Sequence, residues 1–290
     1  MAILVSRNTA VIMQGMTGRQ GRYHTARMLE YGTNLVAGVV PGRGGCEVEG
    51  LPVYDTVDEA AAAGEIDVSL VLVPPPFALD AVAEAVDAGV SLIVVVTDGV
   101  PVLDAVRMLS LVSSAGSRLI GPNSIGVISP GESKVGIMPG NMYRAGVVGV
   151  VSRSGTLTHE VSSNLTYNAM GQSTCVGLGG DPVVGSTFVD ALEMFASDQK
   201  TEAVVLVGEI GGTMEQEAAD YLRTGYPKPV VAYIAGQNVP HQRRMGHAGA
   251  IVEGETATAS VKRAYLKAAG VTVVPVVDDI AGAVRDALSR

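Results

Sequence analysis

Uniformly apolar runs alternate along this chain with stretches whose apolar positions recur every three or four residues. The first kind predicts buried strands and the second amphipathic helices. Residues 10–13, 35–40, 51–54, 68–73, 92–96 and 119–120 predict strands, and 22–31, 56–63, 78–88 and 102–114 predict the helices between them. Asp55 or Thr56 stands where a helix N-cap belongs, and Gly89 stands at a helix C′ position. Residues 121–146 are rich in Gly and Pro and lack a helical period, which predicts a crossing segment with a hairpin around 127–137. The alternation then restarts. Residues 147–151, 173–176, 203–207, 230–234 and 271–276 predict strands. Residues 157–168, 188–195, 214–223, 257–269 and 278–288 predict helices, the last capped by Asp278-Asp279. Strands that are apolar throughout need a sheet covered on both faces, so the pattern predicts two α/β domains with parallel sheets, 1–121 and 122–290.

Composition narrows the function classes. With 47% hydrophobic residues among 290, the chain can bury substantial cores. No run approaches the roughly 18 uncharged apolar residues of a membrane span. Met1-Ala2-Ile3-Leu4-Val5 has neither the basic n-region nor the cleavage site of a signal peptide. Cys46 and Cys175 have no metal or redox spacing, which leads us to expect reduced thiols, a cytoplasmic protein and no metal site. A net charge of −9 without a basic run argues against a nucleic-acid partner. An aromatic content of 4% without Trp disfavours base stacking as well.

Candidate chemistry lies in the loops beyond strand C-termini, where parallel α/β sheets bind ligands. Gly15-Met16-Thr17-Gly18-Arg19-Gln20-Gly21 joins the first strand to the first helix. That arrangement suits an anion at a helix N-terminus, though an unliganded tight turn reads the same way. The spacing is G-x-x-G-x-x-G, not G-x-G-x-x-G. Where an NAD site carries an acid about 20 residues on, this chain has Pro41-Gly42-Arg43. A cation there favours a ligand with an extra phosphate, such as NADP or coenzyme A. Val96-Thr97-Asp98 and Asn123-Ser124 close two further strands on the same side.

In the second half, Ser152-Arg153-Ser154-Gly155-Thr156 opens a helix as a second anion turn or as a plain Ser/Thr N-cap. Glu209 sits in Gly208-Glu209-Ile210-Gly211-Gly212, either orienting a histidine or solvated in its loop. His247 lies between glycines in Arg244-Met245-Gly246-His247-Ala248-Gly249-Ala250, within a loop expected over 236–248. An imidazole so placed suits phosphoryl or proton transfer, or is simply a surface side chain. An anion turn, an acid and a histidine at the ends of parallel strands form the constellation that phosphoryl transfer through histidine needs.

These stretches, with Gln14, Gly121-Pro122-Asn123, Leu157-Thr158 and Gly171-Gln172-Ser173-Thr174-Cys175-Val176-Gly177, run through nearly the whole chain. In that order they resemble the α subunits of the succinyl-CoA synthetase family, the ADP- or GDP-forming acid–CoA ligases. The resemblance implies a Rossmann-like CoA-binding domain followed by a flavodoxin-like ligase domain. It implies reversible chemistry in which an acyl phosphate and a phosphohistidine link the acid, CoA and the nucleotide. By position, His247 would carry the phosphoryl group and Glu209 would orient it. Ser154 and Gly155 would bind phosphate. Thr17, Gly18, Arg19, Gln20, Arg43, Val96, Thr97, Asp98, Asn123 and Ser124 would lie along CoA. A separate ATP-grasp β subunit, in an αβ or α2β2 assembly, would hold ATP or GTP with Mg2+.

The chain departs from the family pattern at four places. Ser124-Ile125 replaces Cys-Pro beside the expected thiol end of CoA, and His159 replaces Tyr beside the expected carboxylate pocket. Glu253-Gly254-Glu255-Thr256 replaces a lysine-containing glycine stretch, and Arg43 replaces Lys. The first two changes leave the acid open among succinate, malate, another small carboxylate and a sulfonated acid. Two rival readings are a CoA-binding module without catalysis and an NADP reductase.

Overall fold

The computed structural model describes residues 3–237, 246–252 and 254–289. Met1-Ala2 of the amino-terminal stretch, residues 238–245 of the expected histidine loop (with Arg244-Met245 of its motif) and Glu253 lie outside the described residues. The described chain forms two compact units, Leu4–Met138 with Val183–Gly185, and Pro139–Pro182 with the residues from Ser186 onward.

In the first unit the strands are β1 (Val11–Gln14), β2 (Leu35–Val39), β3 (Glu47–Val48), β4 (Leu51–Tyr54), β5 (Val68–Val71), β6 (Leu92–Val95) and β7 (Arg118–Ile120). The helices are α1 (Arg19–Tyr31), α2 (Val57–Ala63), α3 (Ala78–Asp87) and α4 (Val102–Ala115). The sheet order is β3-β4-β2-β1-β5-β6-β7, and every pairing is parallel except β3 with β4. Leaving out the edge strand β3, this is the doubly wound Rossmann order, with the winding direction reversing between β1 and β5. The sheet contributes Ile12, Val39, Val71, Ile93 and Val95 to a core closed by Val82 and Ala85 of α3 and Met108 of α4. Each of the Val, Ile and Met side chains among these contributes about 1.5–3 kcal/mol when fully buried.

α1 begins at Arg19, three residues ahead of its apolar periodicity, because the glycine loop itself supplies the helix N-terminus. The glycines allow this. Gly15 adopts φ +89, and a Cβ on Gly21 would lie 2.2 Å from the Gly15 carbonyl oxygen. Thr56 caps α2 by accepting a hydrogen bond from the Glu59 amide, and Gly89 follows α3 at φ +76. β5 stops at Val71 although the apolar run continues to Val73, since the chain leaves the sheet ahead of a 3-10 turn at Pro75–Phe77. The two-residue β3 is too short to leave a pattern.

The expected hairpin forms as β8 (Gly126–Ser129) and β9 (Ser133–Gly136). Its residues group with the first compact unit. The Ser129 hydroxyl donates to the Val5 carbonyl at 2.8 Å, and the Thr33 hydroxyl to the Lys134 carbonyl at 2.8 Å.

The second unit contains β10 (Ala145–Ser152), β11 (Gln172–Gly177), β12 (Ala203–Gly208), β13 (Val230–Ile234) and β14 (Thr272–Val274). Its helices are α5 (Gly155–Tyr167), α6 (Phe188–Ser197), α7 (Met214–Leu222), α8 (Ala259–Ala268) and α9 (Ile280–Leu288). Its strands are parallel in the order β14-β13-β12-β10-β11, a flavodoxin-like winding that reverses between β10 and β12. Val150, Val205, Leu206 and Val231 of the sheet are fully buried, as are Phe188, Leu192 and Phe195 of α6. Thr187 and Asp190 form a capping box on α6.

Some boundaries differ from the pattern. α5 starts at Gly155, two residues early, on its Ser154 cap. α8 starts at Ala259 after a 3-10 turn at Glu255–Ala257, with Thr258 as its cap. β14 spans only Thr272–Val274, and Val277–Asp279 forms a 3-10 turn. Asp279 precedes α9 in a helical conformation and makes no side-chain cap, which corrects the expected Asp278-Asp279 cap. No helix among the described residues is long and apolar enough to cross a membrane.

Candidate functional site

The first unit holds a cleft of about 1040 Å3 at its winding reversal. The glycine loop and the ends of β2, β5 and β6 form its walls, with Thr17, Gly18, Arg19, Gln20, Val96, Thr97 and Asp98 all on the lining. Below them, the buried Gln14 side chain donates to the Ser69 hydroxyl at 3.0 Å and the Ala81 carbonyl at 2.7 Å, bracing β1 against β5 and α3. The Thr97 hydroxyl donates to the Val73 carbonyl at 2.7 Å and so fixes the β6 terminus.

Three of the expected first-unit residues are not on that lining. Arg43 is exposed, in a loop whose Arg43 and Gly44 amides both donate to the Asp55 carboxylate at 2.9 and 2.8 Å. Its guanidinium is therefore carried on a braced turn outside the cleft. Ser124 is buried, and its hydroxyl accepts from the Gly126 amide at 2.8 Å, a local turn bond that draws it inward. Asn123, at φ +55, donates its amide to the Thr97 carbonyl. His24 also lines the cleft, which the helical pattern did not indicate. Burial, aided by the nearby Lys134, lowers its pKa.

In the second unit, Glu209 leaves the end of β12 at the winding reversal and meets His247. Nδ1 of His247 lies 2.9 and 3.1 Å from the two Glu209 carboxylate oxygens. A neutral ring that donates Nδ1–H to a carboxylate carries its lone pair on Nε2. The hydrogen bond to Glu209 raises the His247 pKa above its ordinary 6.5, against the opposing effects of burial and of Arg153. Asp181 raises it further. The imidazole rests on Gly180, where a Cβ would stand 2.4 Å from its Cγ.

Behind this pair lies a group of charges, two of which, Glu215 and Lys262, the sequence did not single out. Arg153 donates to the Gly211 carbonyl at 2.9 Å and to Glu215 at 3.2 Å, and stands 3.7 Å from the Glu209 carboxylate. Lys262 of α8 is fully buried and ion-pairs with Glu215, the second residue of α7. Two cations and two anions so arranged balance one another, as buried charges must. In the sequence Glu215 and Lys262 look like ordinary solvated helix charges, so only the fold reveals them. Arg153 was visible in the Ser-Arg-Ser-Gly turn.

Ser154 caps α5, accepting from the Leu157 amide at 3.4 Å, so Ser154 and Gly155 stand at a helix N-terminus, the partially positive end of its dipole. One turn on, Nδ1 of His159 pairs with the Tyr143 hydroxyl at 2.7 Å. Burial lowers the His159 pKa, favouring the neutral ring. Tyr143 was not anticipated.

The family described as CoA binding domain matches residues 6–99, and the family described as CoA-ligase matches residues 151–272. Succinate–CoA ligase [ADP-forming] subunit alpha 1 of Archaeoglobus fulgidus is 53% identical over 287 residues, which cover 99% of this chain and 98% of that protein. Succinate–CoA ligase [ADP-forming] subunit alpha of Aquifex aeolicus is 52% identical over 276 residues, covering 94% and 90%. Among solved structures, ATP citrate lyase from Methanothrix soehngenii, in complex with citrate and coenzyme A, superposes with a TM-score of 0.91 at 26% identity. That match covers 99% of this chain and 50% of the lyase, so the chain spans half the length of that protein.

Proposed function

This chain belongs to the succinate–CoA ligase α-subunit family and is an acid–CoA ligase subunit with a CoA-binding domain; from that premise we propose how its residues divide the work. His247 carries the phosphoryl group between a nucleoside triphosphate and a small, succinate-like acid. The observation that supports this most strongly is the Glu209–His247 pair, with Nδ1 of the ring on the carboxylate at 2.9 Å. The pairing leaves Nε2 as the basic nitrogen of the neutral ring, and it stabilises the positive charge that builds on the ring as an N–P bond forms.

In the direction of thioester synthesis, Nε2 of His247 attacks the terminal phosphorus of the triphosphate. The N–P bond forms as the P–O bond to the diphosphate breaks. The substrate carboxylate then takes the phosphoryl group, giving an acyl phosphate and restoring the imidazole. The CoA thiol loses its proton and attacks the acyl carbon, the C–O bond to phosphate breaks, and the thioester and inorganic phosphate leave. The N-terminus of α5 at Ser154 and Gly155 attracts phosphate in these steps through its helix dipole. His159, paired to Tyr143, faces the acid and influences its selection.

The first-unit cleft takes CoA along Thr17, Gly18, Arg19 and Gln20 on one side and Val96, Thr97 and Asp98 on the other. Its volume of about 1040 Å3 suits a ligand of that size. Arg43, on its braced turn outside the lining, meets the nucleotide 3′-phosphate, while Asn123 and Ser124 stand toward the thiol end. An ATP-grasp β subunit brings the Mg–nucleotide, and the assembly works in the cytoplasm, a compartment that suits the two free thiols Cys46 and Cys175. The test is thioester formation by the co-expressed complex with ATP, CoA and a panel of small acids. Nucleoside-diphosphate release beyond one equivalent per His247 that requires both CoA and one of the acids supports the proposal. No thioester with any acid overturns it.

A further inference from the structure

Glu209 is held by more than its own loop. Its amide donates to the Glu215 carboxylate at 3.1 Å, and its carbonyl accepts from Nζ of Lys262 at 2.9 Å. The same ammonium group reaches the Gly211 carbonyl at 2.5 Å and the other Glu215 oxygen. The Lys262 side chain and Glu215 are both 0% exposed. The peptide groups on either side of Glu209 are thus tied to α7 and α8 through one ion pair, while the Glu209 carboxylate points the other way, to His247.

A buried ammonium group is often no more stabilising than an apolar side chain of the same volume, and this one gives its protons to two carbonyls of one loop and to the Glu215 carboxylate. Lys262 touches neither the histidine nor any group that reacts. Its hydrogen bonds go to the loop whose glycines, at φ +86 for Gly211 and +62 for Gly212, would otherwise leave it free to move. We propose that Lys262 is a positioning residue for phosphoryl transfer: its ammonium group fixes the Glu209 backbone so that the Glu209 carboxylate meets Nδ1 of His247. The inference rests on His247 being the phosphorylated residue, but the geometry it describes does not.

Removing Lys262 alone would leave Glu215 buried without its ammonium partner, so the informative variant is Lys262→Met combined with Glu215→Gln. The Glu215→Gln change keeps a side-chain oxygen for the Glu209 amide, the Lys262→Met change fills the volume, and the charges of Arg153 and Glu209 still balance. The groups that face His247 and set its titration are Glu209, Arg153 and Asp181, none of which is changed. In the complex with its β partner, the double variant should bind CoA as the native complex does and melt near the same temperature. Its His247 should be phosphorylated at least tenfold more slowly, and the 15N ring titration of His247 should move down toward 6.5. If the double variant does not fold, Lys262→Gln combined with Glu215→Gln, in which residue 262 can still reach one carbonyl, makes the same comparison and should show the same downward shift.

A folded variant with native ring titration overturns the proposal, whether its phosphorylation is native or slowed, because Glu209 is then in place without Lys262. If native His247 is never phosphorylated, the phosphoryl-transfer reading fails. The ring titration still decides whether Lys262 positions Glu209.

Discussion

Replacing Gly180 by Ala should displace the imidazole without disturbing the fold. The new Cβ would lie 2.4 Å from Cγ, 2.6 Å from Cδ2 and 2.9 Å from Nδ1 of His247, and these are its three nearest neighbours. Ordinary van der Waals contact begins at 3.4 Å, so the ring must retreat by about 1 Å. Gly180 is not at positive φ, so alanine adds no backbone strain. A 1 Å retreat does not fit a hydrogen bond of 2.9 Å to Glu209, and it moves Nε2 off line with an incoming phosphorus. Displacements of that size typically cost about 100-fold in rate, close to 2.7 kcal/mol. The assay is single-turnover phosphorylation of His247 in the complex, with CoA binding and thermal melting as controls. We expect a fall of about 100-fold in rate with both controls unchanged. A native rate would show that the ring does not need its position over Gly180, and would refute the reasoning that ties rate to the Glu209 contact.

The phosphorylation rate should rise with pH through a His247 pKa above 6.5, because only the neutral ring has an Nε2 lone pair, and Glu209→Gln should move that acid limb down. The same interaction stabilises the fold in full below the unfolded value of 6.5, and its contribution is lost as pH rises through the folded pKa. Melting temperatures of native and Glu209→Gln complexes across this range measure the loss. Arg43→Ala should weaken CoA more than dephospho-CoA, by about 1.5–3 kcal/mol for a charged hydrogen bond. Calorimetry with both ligands checks it, and equal losses would assign Arg43 elsewhere. His159→Tyr should shift the ratio of kcat/KM toward succinate by roughly tenfold or more across a panel of acids. An unchanged ratio would make the His159–Tyr143 pair structural and return attention to Ser124-Ile125.

Much of this molecule is legible in one dimension for a physical reason. A strand buried on both faces can hardly be anything but apolar, so β1, β5, β6, β10, β12 and β13 stand out, and parallel sheets follow. The glycine turns are legible because backbone must pass close to backbone, as at Gly21. His247 and Glu209 are legible because each is the one titratable side chain in a glycine-rich stretch, Glu209 directly past the end of β12. The Arg153–Glu215–Lys262 group is not. Glu215 resembles an ordinary first-turn acid of α7, and Lys262 lies beside Arg263 in a helix with polar neighbours. Only tertiary packing turns those two side chains inward. Helix starts at Arg19 and Gly155 were missed because a loop that binds or caps need not be apolar. The hairpin was legible, but the Ser129–Val5 and Thr33–Lys134 bonds that hold it were not, since they span more than a hundred positions, beyond any local period.

Radiolabelling shows directly whether His247 carries the phosphoryl group. The chain should take up label from γ-labelled ATP when the β partner is present, or from labelled phosphate with acyl-CoA. A single phosphorylated residue is expected, stable to alkali and labile to acid, and lost in His247→Asn. Label that persists in His247→Asn, or that survives acid, would contradict it.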